Sequence, residues 1–206
     1  MQSHFLKYFP SLSQLHPPAV YVPSFDEICR LIEIANSHER TRPVGDLAYI
    51  VASTGLRTGE LENLRVTDVD SYLGLVQIES KRQGMIRYVL VSSRALQTLV
   101  SLHARFPESE LVFGDRSRSY LQTLLKKFHL LACKIGAENM RLHSLRRAMV
   151  RHLHHLANSE QEETAIQYLA DHALHTAKSE LDLQTILEIA KPFLEDLWAE
   201  LDVKKV

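Results

Sequence analysis

The stretch "VASTGLRTGELENL" (residues 51–64) places an arginine between two glycines, where an apolar run gives way to a new helical pattern. Upstream, "GDLAYIVASTG" reads as a buried helix that Gly55 stops. Downstream, Thr58 is the expected N-cap, and Glu60 falls in the first turn of a short helix carrying Leu61 and Leu64. Arg57 is thereby held at a rigid corner beside a helix start. A guanidinium in that position suits bidentate capture of a phosphate or carboxylate. The plainer reading of this stretch alone is a structural role, tying loop carbonyls together.

The flanking segments extend the pattern. "SFDEICRLIEIAN" (24–36) opens with Ser24 as N-cap and Glu27 three residues on, a capping box leading into helically spaced apolar positions. "LGLVQIES" (73–80) and "MIRYVLVS" (85–92) are β-rich runs flanking "KRQG", which predicts a hairpin. "SRALQTLVSLHARF" (93–106) predicts an amphipathic helix, and "SELVFG" (109–114) a short strand or extended link. Helices follow over 119–137, ending near Gly136, then over 143–158 with Ser144 as N-cap, and over 159–172. Residues 175–201 predict one long or broken helix, with Pro192 marking a kink. Residues 1–23 carry Ser, Pro and aromatics without a period and read as a tail or arm. The expected class is mainly α with a small antiparallel β-sheet (α+β), in one domain over 24–206.

Composition bounds the function. A chain of 206 residues, 45% hydrophobic, can bury one good core. No run reaches the roughly 18 apolar residues of a membrane span, and the first residues lack the basic-then-apolar order of a signal peptide. Cys29 and Cys133 read as reduced thiols, so a soluble cytoplasmic protein is expected. The net charge of −1 hides strong segregation: residues 81–159 hold 14 Lys and Arg against 4 Asp and Glu, between two acidic flanks. A basic middle of this kind is the footprint of a surface facing a polyanion.

Four places combine into one constellation. Arg57 sits at its glycine corner, and Lys81 at the tip or shoulder of the hairpin. His143 and Arg146, three apart in "LHSLRRAMVRHL", share a helix face. His172 closes "YLADH" after an apolar helix. Singly, each has a plain structural explanation. In this order, "TGLRTGEL", the hairpin lysine, "HSLRR" and "LADH" resemble the ordered boxes of the tyrosine recombinases, or phage integrases. The basic-then-apolar strand after Lys81, with Arg87 and "YVLV", matches as well, and the resemblance runs from about Ser24 to the C-terminus.

The resemblance implies roles. Arg57 and Arg146 would clamp the scissile phosphate and offset charge on its transition state. Lys81 would protonate the leaving 5′ oxygen as general acid. His143 and His172 would hydrogen-bond the phosphate, His143 exchanging a proton near neutral pH. Arg57, Lys81, Arg82, Arg87, Arg146 and Arg147 would contact duplex DNA. No metal or other cofactor is required, and a partner protomer, the same chain or another recombinase, would be engaged through the C-terminal helix.

The chain also departs from the family. The nucleophilic tyrosine lies nine residues after the third-box histidine, where this chain has Leu181. Tyr168 precedes His172 and reads as a packing residue; Ser179 is a hydroxyl in the wrong geometry. The helical core-binding domain that forms the other half of the family's DNA clamp is not found in the residues before Ser24. The expectation is a DNA-binding domain unable to cleave alone, a pseudoenzyme within a mobile element. An active strand-transferase with an unrecognised or partner-supplied nucleophile, and a helical interaction module that does not bind DNA, are the alternatives. His152, His154 and His155, and the pair His129 and Cys133, lack a complete zinc-ligand spacing.

Overall fold

A computed structural model describes residues 20–79, 86–169 and 182–203. Eight α-helices and a three-stranded antiparallel sheet make up these residues. Helix α1 (Phe25–Asn36) begins with the predicted capping box: the Glu27 amide donates to Ser24 Oγ at 3.2 Å, and the Ser24 amide to Glu27 Oε2 at 2.8 Å. Helix α2 (Arg42–Thr54) carries Pro43 in its first turn, where an amide donor is not needed. Its Val44, Leu47, Ala48, Tyr49, Ile50, Val51 and Ala52 are all buried. Apolar on every side, it is surrounded by α1, α4 (Ser93–His103), α5 (Ser117–Lys134), α6 (Leu142–Leu156) and α8 (Leu183–Val203). Truncating a fully buried leucine such as Leu47 to alanine costs about 2–5 kcal/mol in such a setting.

The sheet runs β1 (Val69–Asp70), β2 (Leu75–Glu79), β3 (Ile86–Leu90), with Val76 opposite Val89 and Ile78 opposite Arg87. Val76, Ile78 and Val89 form its buried face. Two-residue β1 has no signal in the sequence; it follows a 3₁₀ turn at Val66–Asp68. "SELVFG" forms a link with a single bridge, Arg65 to Leu111, the Val112 amide reaching the Leu64 carbonyl at 2.9 Å.

Two expected caps shift. Arg57, not Thr58, is the N-cap of α3 (Thr58–Leu61), because the Glu60 carboxylate accepts the Arg57 amide at 2.7 Å and draws the helix start one residue back. Ser144 lies in the first turn of α6, its hydroxyl donating to the Arg141 carbonyl at 2.6 Å and accepting the Arg141 amide at 3.1 Å. Helix α7 (Glu160–Leu169) precedes α8, which runs continuously through Pro192. Helix α8 packs on its own chain: Ile186, Ala190, Leu194, Leu197 and Leu201 are buried, and Arg94 pairs with Asp202 at 2.5 Å while stacking on Tyr49 at 3.9 Å. No described helix is long and apolar enough to cross a membrane.

Candidate nucleic-acid interface

The end of α2 organises the site. Gly55 caps it in the left-handed conformation at φ +66°, which turns the chain into α3 and aims the Gly55 carbonyl at α6. Arg146 of α6 donates a guanidinium N–H to that carbonyl. Two residues earlier, the Ser53 carbonyl accepts the Trp198 indole N–H from α8 at 3.0 Å. Carbonyls that a helix end leaves without partners thus anchor the two later helices. A side chain at Gly55 would bring its Cβ to 2.7 Å from Met149 Sδ.

Two arginines meet at one carboxylate, and a third lies close by. Glu60, 13% exposed, receives a terminal nitrogen of Arg87 on both oxygens at 2.9 and 3.0 Å and lies 3.6 Å from the Arg57 guanidinium. Arg87 occupies the sheet's inward face, 7% exposed, and its Nε and second terminal nitrogen are buried with no hydrogen-bond partner among the described residues. Arg146 is 4% exposed. Burial first, then the Arg57 and Arg87 charges, pull its pKa down to about 10, with Glu60 opposing. Arg57 keeps 43% of its side chain accessible. Among the described residues, three guanidinium groups thus lie in reach of the Glu60 carboxylate, a local concentration of positive charge of the kind that attracts anions.

His143 is exposed on the first turn of α6. Burial, then Arg147, Arg146 and Arg57, depress its pKa below the usual imidazole value, which keeps the ring neutral at neutral pH. Arg147 is exposed beside it. The structure therefore brings Arg57, Arg87, His143, Arg146 and Arg147 to one region. Lys81, Arg82, His172 and Leu181 lie outside the described residues. Arg87, expected to touch DNA, is instead turned inward onto Glu60, because strand alternation puts it on the face of Val89.

Glu60 was not among the sequence-derived site residues, although its position three after Arg57 was visible. Tyr168 is buried, as read, and its hydroxyl accepts the Tyr88 amide of β3 at 2.9 Å, a link no local pattern announces. The histidine clusters have other occupations: His154 meets Glu163 at 2.5 Å, His152 stands edge-on to Phe25 with ring centroids 5.0 Å apart, and Arg141 donates to His129 at 3.0 Å. No group of three metal-ligating side chains converges among the described residues. A cleft of about 360 Å³ between α1, α4 and α8, lined by Cys29, Glu33 and Arg94 among others, shares no residue with the arginine site.

Residues 24–177 match the phage integrase family. No functionally curated protein matches the chain. Among solved structures, it is similar to XerA recombinase at 22% identity and a TM-score of 0.57, over 84% of this chain and 64% of that one. The Tn1549 transposon integrase, in complex with transposon right-end DNA, gives 14% identity and a TM-score of 0.60 over 87% of this chain and 66% of that one. A lambda integrase dimer bound to a COC′ core site gives 15% and 0.54, over 79% and 62%. These likenesses carry the fold, a helical domain with a small antiparallel sheet, and the chain spans just under two thirds of those proteins' length. On the match over residues 24–177, the chain belongs to the phage integrase, or tyrosine recombinase, family.

Proposed function

We propose that this domain binds the backbone of duplex DNA, seating a phosphate against Arg57 and Arg146, and that it does not cleave DNA by itself. The observation that carries the reading is that Arg57 and Arg87 meet at the Glu60 carboxylate while Arg146 lies close enough to feel all three charges, with the Arg57 side chain the most accessible of the three arginines. A phosphate oxyanion is the ligand such a site stabilises best, through charge-assisted and bidentate hydrogen bonds. The basic block over 81–159 supplies further contacts, with Arg147 on the exposed side of α6 and Lys81 and Arg82 on the hairpin segment. Neighbouring folds in complex with DNA, the Tn1549 and lambda integrases, support the same class of ligand.

In the family's reaction a phosphodiester is attacked by a tyrosine, the leaving oxygen is protonated, and paired arginines hold the charge on phosphorus. Here Arg57 and Arg146 supply the charge, His143 is neutral and able to accept a proton, and Lys81 and His172 complete the acid and the clamp. Leu181 stands where the nucleophile belongs, and an alkyl side chain has no attacking oxygen. The domain therefore acts as an accessory or regulator beside a second, complete protomer; the lambda integrase dimer supports an assembly of that kind. The test is a suicide duplex that traps the covalent intermediate. No protein–DNA adduct is expected from the chain alone, and an adduct would replace this reading with that of an active strand-transferase.

A further inference from the structure

Helix α6 carries a basic stripe along its outer face. Its exposed positions are His143, Arg147, Arg151 and His155, one every four residues, and the helix sequence, LHSLRRAMVRHLHHL, contains no carboxylate. Positions four apart share one face of a helix and advance about 6 Å along its axis. Adjacent phosphates on one strand of DNA are spaced by a similar distance. Each step also turns by about 40°, a drift that the long arginine side chain spans. Arg147 and Arg151 make no hydrogen bond or ion pair among the described residues, whereas the exposed Arg65 pairs with Glu110 and Lys191 with Glu195. The stripe starts beside the arginine corner, where the Arg147, Arg146 and Arg57 charges all act on His143. It stops where α7 begins: Glu160, Glu162 and Glu163 lie in the first turn of that helix, and Glu163 meets His154 at 2.5 Å.

We propose that α6 lies along a single DNA strand, with His143 at the phosphate seated in the arginine corner and Arg147 and Arg151 on the next two phosphates of that strand. The ordering rests on the reading of that corner as a phosphate site, and it adds Arg151 to the contacts. A DNA strand presents its phosphates as a row of like charges. Two guanidinium groups at matching intervals neutralise two of them and release their counterions. The carboxylates that open α7 repel the backbone beyond Arg151, so the row ends there. His155, one residue from the His154–Glu163 pair, falls at that boundary.

The experiment is a salt titration of the full chain on a fluorescein-labelled duplex of mixed sequence, followed by anisotropy. Arg147→Gln and Arg151→Gln should each lower the slope of log affinity against log salt by about 0.9, and the double variant by about 1.8. Each single change should weaken binding about fivefold to tenfold at about 0.1 M salt. Arg151→Lys keeps the charge and should keep the slope. Arg30→Gln removes the same charge from the exposed side of α1, off the stripe, and should leave the slope unchanged. Glutamine and lysine form helix about as well as arginine, so all variants should fold, and circular dichroism expresses binding per folded molecule.

A second duplex, with a neutral methylphosphonate backbone on one strand, tests the strand assignment. The losses from Arg147→Gln and Arg151→Gln should both persist, because both contacts go to the strand that keeps its charge. A loss that vanishes for one of them places the two arginines on opposite strands and overturns the proposal. Slopes unaltered by both changes, or lowered as much by Arg30→Gln, overturn it too, while Arg57→Ala and Arg146→Ala still judge the corner. If those two alanine variants bind like the wild type but the stripe variants lose slope, the phosphate reading of the corner fails and the contacts of Arg147 and Arg151 stand. A wild type that binds no duplex at low salt overturns both.

Discussion

Replacing Gly55 by alanine probes the corner on which the whole site is built. Two costs combine. At φ +66° an L side chain pays about 1 kcal/mol or more that glycine does not. The added Cβ would also sit 2.7 Å from Met149 Sδ and 3.3 Å from its Cε, inside contact distance. Methionine is flexible and yields, so overpacking adds about 1–2 kcal/mol, the lower part of its usual range. The total is about 2–3 kcal/mol, which for a domain of this size lowers Tm by about 5–10 °C. Urea unfolding followed by circular dichroism measures the first figure and a thermal melt the second. The same change displaces the Gly55 carbonyl that Arg146 holds, so duplex affinity per folded molecule should fall as well. A loss of less than about 0.5 kcal/mol with unchanged DNA binding would refute the claim that this corner is sterically fixed and positions the arginines.

Other outcomes follow from the same geometry. Arg146→Met gives up the hydrogen bond to the Gly55 carbonyl, worth about 0.5–1.5 kcal/mol, while relieving a buried and mutually repelled charge. Stability should change by less than about 1 kcal/mol while duplex binding drops by more than about tenfold; a large loss of stability with intact binding contradicts this. His143 has a folded-state pKa below its unfolded value, so the folded chain binds this proton less readily than the unfolded one. Its contribution to stability is present above the unfolded pKa of about 6.5 and declines as pH falls through it. A bound phosphate reverses the preference, so duplex affinity should rise between pH 7.5 and 6. Matched unfolding and binding titrations should show His143→Gln flattening both trends; an unaltered profile would remove His143 from the site. Tyr168→Phe deletes only the hydroxyl that accepts the Tyr88 amide and should cost about 1–2 kcal/mol by urea unfolding.

Much of this architecture is legible in the residues. The capping box at Ser24, the left-handed stop at Gly55 and the alternation of "IRYVLV" are local signals with local causes, and the elements form where they point. What sequence reading misplaced was set by contacts from afar. Thr58 has the better capping side chain, yet Glu60 captures the Arg57 amide and moves the helix start. Arg87 looks like a surface cation in a basic run, but its place in the alternation with Val89 turns it inward, where Glu60 receives it from 27 positions away. The grip of Arg146 on Gly55 and of Trp198 on Ser53 spans 91 and 145 positions, beyond any periodicity. The short strand β1 owes its existence to pairing with β2, since two residues carry no pattern of their own.

Salt-titrated binding of a duplex to the wild type, Arg57→Ala and Arg146→Ala tests the central claim most directly. Counterion release makes log affinity fall with log salt by about 0.9 for each phosphate neutralised. The account predicts measurable binding at low salt and a steep slope. Each substitution should weaken the affinity and reduce the slope by about one unit. Absence of binding at low salt, or an affinity and slope that neither substitution alters, would contradict a phosphate site at these arginines.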